Sequence, residues 1–386
     1  PYYERVISEF SNSSYIKNSL LQLGLIYYNT DQNDKALEVY KQFVNDYKGS
    51  AESKNALQGI KNIYIEKNDI NGYMTYVEGL GGMVTITQAG QDSLSYLAGE
   101  DAYMKDNCNK AIEIFNSYIT KFPNGNFLLN ALYYKADCHL KTKELDSSSA
   151  CYQRIADMPK NIYTESSLVN NAKILESKKD YQEALKSYLR LEEVAEYKSN
   201  LMDARIGQMR CNVKLQDYPS IISTCEKVLI TEKVPEEIVR EANFNLAKAF
   251  LATGDTAKAL DKYRSVALDI KSVEGAESKF RISEILFKQE NFDESEKEVL
   301  DFLEKNSPHQ YWMARSYILW ADIFEARKDL FQAKNTLQSI LDNYNNKTDG
   351  IIDMAQQKFD KITEQEESTN IPAPDKADEI NMKPNN

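Results

Sequence analysis

The sequence predicts an all-α chain, a solenoid of about nine helical hairpins closed by a C-terminal helix. Three observations carry that expectation. Apolar residues recur at helical spacing in blocks, the blocks repeat every 36 to 39 residues, and tight turns rich in Asp, Asn and Gly separate them. Units of that length bury their apolar faces only against their neighbours, so a chain of 386 residues need not divide into conventional domains.

The clearest unit runs from Ser95 to Pro123. Leu94, Leu97, Ala98 and Ala102 mark one helix and Ala111, Ile114, Phe115 and Tyr118 the next, with polar Lys105 to Asn109 between them and Pro123 ending the second. Gly99 and Ala111, twelve residues apart, stand where two antiparallel helices approach closely, and Phe115 fills the adjoining gap. The same triad repeats along the chain. Its anchors are Ala36, Gly72, Ala111, Ser148, Ala184, Ile221, Ala259, Ser295 and Ala333. Twelve residues earlier stand Gly24, Ile60, Gly99, Ala136, Ala172, Met209, Ala247, Ser283 and Ala321, and four residues later an uncharged residue, Tyr40, Tyr76, Phe115, Tyr152, Tyr188, Cys225, Tyr263, Val299 or Leu337.

In order, residues 1–12 read as the end of a second repeat helix whose first helix lies upstream, because Tyr2, Tyr3, Val6, Ile7 and Phe10 match the design of Val39 to Tyr47. The repeat array spans 13–345. Within it, the turns at Asp31 to Asp34, Asp180, Asp217, Asp255 and Asn291 supply N-caps, and Pro219 suits a first helical turn. Gly79 to Thr87 lacks the spacing of a phosphate-binding loop and reads as a longer connection between units. Residues 346–367, with Ile351, Ile352, Ala355, Phe359 and Ile362, form a capping helix, and 368–386 an acidic, disordered tail.

A net charge of −12 argues against duplex nucleic acid or an anionic membrane surface as the partner of the whole chain, and no apolar run is long enough to span a bilayer. The five cysteines have no metal-ligand spacing and read as packing thiols. Cys138 with Cys151, and Cys211 with Cys225, lie on opposite helices of their own hairpins and stay open as disulfide pairs. His139 and His309 are isolated, and no nucleophile, acid–base pair or cofactor loop converges, so catalytic, cofactor and metal sites are not expected.

The small-residue triad and the period resemble the tetratricopeptide repeat, from Ser13 to Asn345. The resemblance implies a right-handed superhelix whose first helices line a concave groove for an extended or helical partner segment, and a function in protein–protein interaction. Hairpins of 36 or more residues, the phrase Tyr118 to Gly125 and the Asn- and Tyr-rich background are similar to bacterial cell-envelope members, which implies a periplasmic or outer-membrane-associated scaffold. The alternatives are a chaperone-like or regulatory adaptor, cytoplasmic if no export signal lies upstream, and a non-catalytic part of a larger enzyme complex. In this family the residue after the small position of the first helix faces the groove. That column is read as Leu25, Glu100, Asp137, Lys173, Arg210, Lys248, Glu284 and Asp322, with Ile60, the small position itself, standing for the second hairpin. Lys173, Arg210 and Lys248, joined by Lys214, are the expected basic centre for an acidic partner segment, and Tyr28, Tyr64 and Tyr103 the expected apolar anchors.

Overall fold

The computed structural model describes residues 1–10, 12–305 and 307–369, and contains twenty helices and, among the described residues, no strand. Two compact units, Pro1–Ala204 and Arg205–Asn386, divide within helix α12. The first unit holds α1 (Tyr2–Glu9), α2 (Ile16–Asn29), α3 (Asn33–Asp46), α4 (Ser53–Glu66), α5 (Ile70–Glu78), α6 (Gln88–Met104), α7 (Cys108–Lys121), α8 (Leu128–Lys141), α9 (Leu145–Asp157), α10 (Thr164–Ser177), α11 (Tyr181–Val194) and the start of α12 (Lys198–Leu215). The second holds the rest of α12, then α13 (Tyr218–Leu229), α14 (Glu236–Ala252), α15 (Thr256–Val266), α16 (Val273–Lys288), α17 (Phe292–Glu304), α18 (Gln310–Ala326), α19 (Leu330–Asn343) and α20 (Ile351–Thr369). The part of the expected acidic tail from residue 370 onward lies outside the described residues.

One turn geometry builds the hairpins of both units. A residue with left-handed backbone ends each first helix: Asp31, Asn68, Asp106, Lys143 and Lys179 in the first unit, Gln216, Gly254, Glu290 and Lys328 in the second. The next N–H reaches back five residues to a helix carbonyl, as in Gln32 to Tyr27, Asn107 to Ala102 and Asp329 to Phe324. This closure satisfies carbonyls the helix end would otherwise leave orphaned. Asp180, Asp217 and Asp255 then cap the second helices as anticipated, whereas Asp31 takes the left-handed position and Gln32 precedes α3.

Close approach of the paired helices is visible in the hydrogen bonds. The hydroxyl of Ser148 donates to the carbonyl of Ala136 at 2.8 Å, and that of Ser295 to the carbonyl of Ser283 at 2.8 Å, both across the twelve-residue interval. At Gly99 an added Cβ would lie 2.5 Å from the Phe115 ring, which occupies the space the glycine leaves. Met209 and Ile221 depart from the small-residue rule together, and there Cys225 replaces the aromatic ring, so volume is redistributed within the triad; all three are buried.

The second hairpin is one residue out of the expected register. Tyr73, not Gly72, follows its left-handed residue by five positions, as Ala36 and Ala111 follow theirs. Gly72 instead donates its N–H to the capping carboxylate of Asp69 at 2.8 Å. A bulky side chain at the close-approach point accompanies a short α5, and the irregular connection through 79–87 leads to α6, capped by Thr87.

Packing within each unit is asymmetric. In the first, α2 packs on α4, α4 on α6 and α6 on α8; in the second, α14 on α16, α16 on α18 and α18 on α20. Within these two series successive first helices thus form an inner layer in mutual contact. Among the described residues the second helices make no comparable contacts with one another, so they form an outer layer. Ile351, Ala355 and Ile362 of α20 are buried with Ala314, Ile318, Leu337 and Ile340 of α18 and α19. No helix among the described residues is long and apolar enough to cross a membrane.

The cysteines correct the sequence reading. A disulfide joins Cys108 to Cys138, with Cα atoms 5.0 Å apart, and ties α7 to α8. Neither intra-hairpin pair forms; Cys151, Cys211 and Cys225 are buried thiols. The reason is topological, since packing α8 against α7 sets the end of one beside the start of the other.

Candidate partner-binding surface

Of the four bases expected in the groove, Arg210 is engaged by a carboxylate. Lys173 lies on α10 of the first unit, whereas Arg210 and Lys214 on α12 and Lys248 on α14 belong to the second. Arg210 grips Glu241 with two hydrogen bonds, Nε to Oε1 at 2.9 Å and Nη2 to Oε2 at 2.7 Å, which neutralises its charge locally. Lys248 is exposed with its Nζ 5.1 Å from the Phe244 ring centre. Lys173 and Lys214 are exposed, and among the described residues neither forms an ion pair.

Ile60 is wholly buried, and the column position, counted six residues back from the left-handed Asn68 as Leu25 is from Asp31, falls two residues on at Asn62. The one-residue register shift also removes Tyr64 from the tyrosine column. Tyr64 is buried against Tyr73, ring centres 5.9 Å apart, and its hydroxyl accepts from Lys41 Nζ at 2.9 Å. Tyr28 and Tyr103 do share a register, and each links successive first helices. The Tyr28 hydroxyl donates to Glu66 at 2.7 Å and that of Tyr103 to Asp137 at 2.9 Å. Burial, reinforced by those carboxylates, pushes both phenols above their ordinary range. Glu66 also accepts from Asn33 at 2.9 Å and faces Lys105 at 3.4 Å. Burial alone would raise its pKa, but these partners outweigh it and hold the carboxyl below the usual range.

The structure adds an aromatic cluster that the sequence reading missed, with Tyr96 buried and Tyr103, Phe127, Tyr133, Tyr134 and Tyr163 half-buried. Tyr96 stacks on Phe127 at 4.5 Å, Tyr103 on Tyr134 at 4.5 Å, and Tyr133 on Tyr163 at 4.1 Å. These rings join α6, α8 and the start of α10. The Tyr96 hydroxyl donates to Glu100 at 2.6 Å, and Asn130 Nδ2 donates to the Tyr163 hydroxyl at 3.2 Å. Burial, a hydrogen bond with Tyr134 and the nearby Glu100 charge push Tyr163 up to about 12. The available signal was Tyr96 and Tyr133, each ten residues before a left-handed turn residue.

The histidines are engaged locally. His139 Nδ1 lies 2.8 Å from Glu144, and His309 Nε2 lies 2.9 Å from the carbonyl of Lys271. Among the described residues no group of His, Cys, Asp and Glu is arranged to hold a metal ion.

A family model for the tetratricopeptide repeat matches residues 18–50 and 241–268. No curated protein matches the chain in sequence. Among solved structures, a tetratricopeptide repeat protein from Parabacteroides merdae is similar at 15% identity over 72% of this chain and 100% of its own, with a TM-score of 0.36. The C-terminal part of a TPR repeat-containing protein from Cytophaga hutchinsonii is similar at 14% identity over 67% of this chain and 98% of its own, with a TM-score of 0.37. A human IFIT1 dimer with m7Gppp-AAAA is similar at 12% identity over 95% of this chain and 86% of its own, with a TM-score of 0.37.

Proposed function

We propose that this chain, which carries tetratricopeptide repeats, is a non-catalytic scaffold that gathers partner proteins in an oxidising compartment of the bacterial cell envelope. The observation that carries the scaffold reading is the inner layer of first helices in each unit, which presents polar and aromatic side chains from successive repeats on elements held rigid by their neighbours. The Cys108–Cys138 disulfide supports the compartment, because such bonds persist where the surroundings are oxidising and are rare in the bacterial cytosol. In this reading Lys173, Lys214 and Lys248 remain points of attraction for acidic segments, while Arg210 serves mainly to hold Glu241.

The test is proximity labelling in the native host, followed by reciprocal capture of each candidate with the purified chain. Partners that bind directly and lose affinity when first-helix surface residues are exchanged support the scaffold. A chain that retains no partner in either direction overturns it. Trapping thiols before lysis checks the compartment: peptides linked through Cys108 and Cys138 are expected, and reduced thiols at both positions would refute an oxidising location.

A further inference from the structure

The two units carry an aromatic pair and a carboxylate at the same register, and only the second adds arginines to them. In the second unit, Phe280 and Glu284 stand ten and six residues before the left-handed Glu290, and Trp312 and Arg315 sixteen and thirteen residues before the left-handed Lys328. Phe280 and Trp312 lie with ring centres 5.5 Å apart. Arg281, nine residues before Glu290, places its guanidinium 5.6 Å from the Phe280 ring and 5.7 Å from Trp312, and reaches Glu284 at 2.8 Å and Glu277 at 3.2 Å. Arg315 lies 4.8 Å from Phe280. An aromatic pair and a carboxylate therefore hold cations supplied by the chain itself.

In the first unit the corresponding residues, counted from Asp106 and Lys143, are Tyr96, Glu100 and Phe127. The aromatic pair is present and stacked, and the carboxylate is present, but Leu97 and Asn130 stand where Arg281 and Arg315 do. Among the described residues Glu100 has no cationic partner; the Tyr96 hydroxyl is its hydrogen-bond donor. The other carboxylates of its column are matched with bases: Asp137 with Lys141, Glu284 with Arg281, and Asp322 with Lys358. Glu100 is partly exposed, and its charge is felt at Tyr163, whose ring stacks on Tyr133 at the adjoining end of the surface.

We propose that the tyrosine-walled surface around Glu100 receives an arginine or lysine side chain from a partner protein segment, supplying from outside the cation that the second unit supplies from within. Aromatic faces and an unneutralised carboxylate attract a guanidinium or ammonium and repel phosphate, which favours a basic peptide over RNA. The proposal rests on the scaffold reading and names its contact.

The experiment titrates the full chain with an acetylated, amidated Gly-Ala-Arg-Ala-Gly peptide and with forms carrying lysine, citrulline or norleucine at the centre, followed by NMR. The arginine and lysine peptides are expected to bind and the other two to fail. Glu100→Gln keeps the acceptor for Tyr96 and should weaken the arginine peptide at least about tenfold, the loss of one charge-assisted contact. Leu97→Arg should abolish peptide binding, because it supplies the cation from within the chain at the position of Arg281. Equal binding of the citrulline peptide, no binding of the arginine peptide, or indifference to both substitutions would overturn the proposal, as would oligouridylate competing at this surface. Selection of random 12-residue peptides on the same chain separates the two levels: enriched peptides that ignore Glu100→Gln sink this site and leave the scaffold standing, whereas enrichment of basic peptides sensitive to it supports both.

Discussion

Ser148 and Ser295 sit at points where two helix backbones nearly touch, and each converts the small volume required there into a hydrogen bond to the facing carbonyl. Gly99 solves the same problem by yielding space to Phe115. Gly99→Ala sets two effects against each other. Relief of glycine's backbone entropy contributes roughly 0.5–1 kcal/mol, while displacing a packed ring costs about 1–3 kcal/mol. A net loss of about 1 kcal/mol is expected by urea denaturation, and combining the change with Phe115→Leu should recover most of it. Glu66 gives a pH dependence whose sign follows from its lowered pKa. The folded state binds its proton less readily than the unfolded chain, so the stabilisation is complete above the ordinary glutamate value of about 4.3 and fades as pH falls through the folded value. Glu66→Gln should flatten the fall in unfolding midpoint below about pH 4 and leave the profile near neutrality parallel to that of the native chain.

Between neighbouring hairpins the chain repeats a second device. A base at the end of a first helix pairs with an acid at the preceding hairpin's turn, as in Lys67 with Asp34, Lys141 with Asp106, Lys178 with Asp146 and Arg327 with Asp293. All four acids are exposed, so each pair contributes only about 0–1 kcal/mol. The α7–α8 disulfide is worth more by the same measure, about 2–4 kcal/mol for a bond of this kind, because it closes 30 residues of chain. Reduction, or the double change Cys108→Ser with Cys138→Ser, should lower the unfolding free energy by that amount and speed amide exchange in 108–141. Lys178→Met should shift the midpoint by less than a degree or two.

At the scale of the molecule, each unit gains stability by adding hairpins to a stack, so its last element matters more than its size implies. Deleting 351–369 would uncover Ala314, Ile318, Leu337 and Ile340. Both tryptophans, Trp312 and Trp320, lie in the same unit. The deletion should therefore lower the midpoint read by tryptophan fluorescence and increase binding of an apolar dye; an unchanged midpoint would show that α20 adds nothing to the stack.

Periodicity alone determined that this protein is all-α and repetitive, since a helix paired at close range demands small residues at fixed intervals and an aromatic beside them, and Gly99, Ala111 and Phe115 declare that locally. The spacing of Ala136 and Ser148 was legible for the same reason, and the hydroxyl of Ser148 then found the facing carbonyl. What only the tertiary structure decided lay in the packing between helices and hairpins. Register in the second hairpin turned on the backbone of Asn68, where a left-handed residue is not recorded by hydrophobic pattern, and so Ile60 and Tyr64 proved to be core. Cys108 met Cys138 because α8 packs back along α7, a pairing of elements rather than of positions in a hairpin. Arg210 found Glu241, 31 residues away, and among the described residues Glu100 pairs with no base. Charges can be counted along a sequence, but which of them are already neutralised depends on distances between side chains that only packing sets.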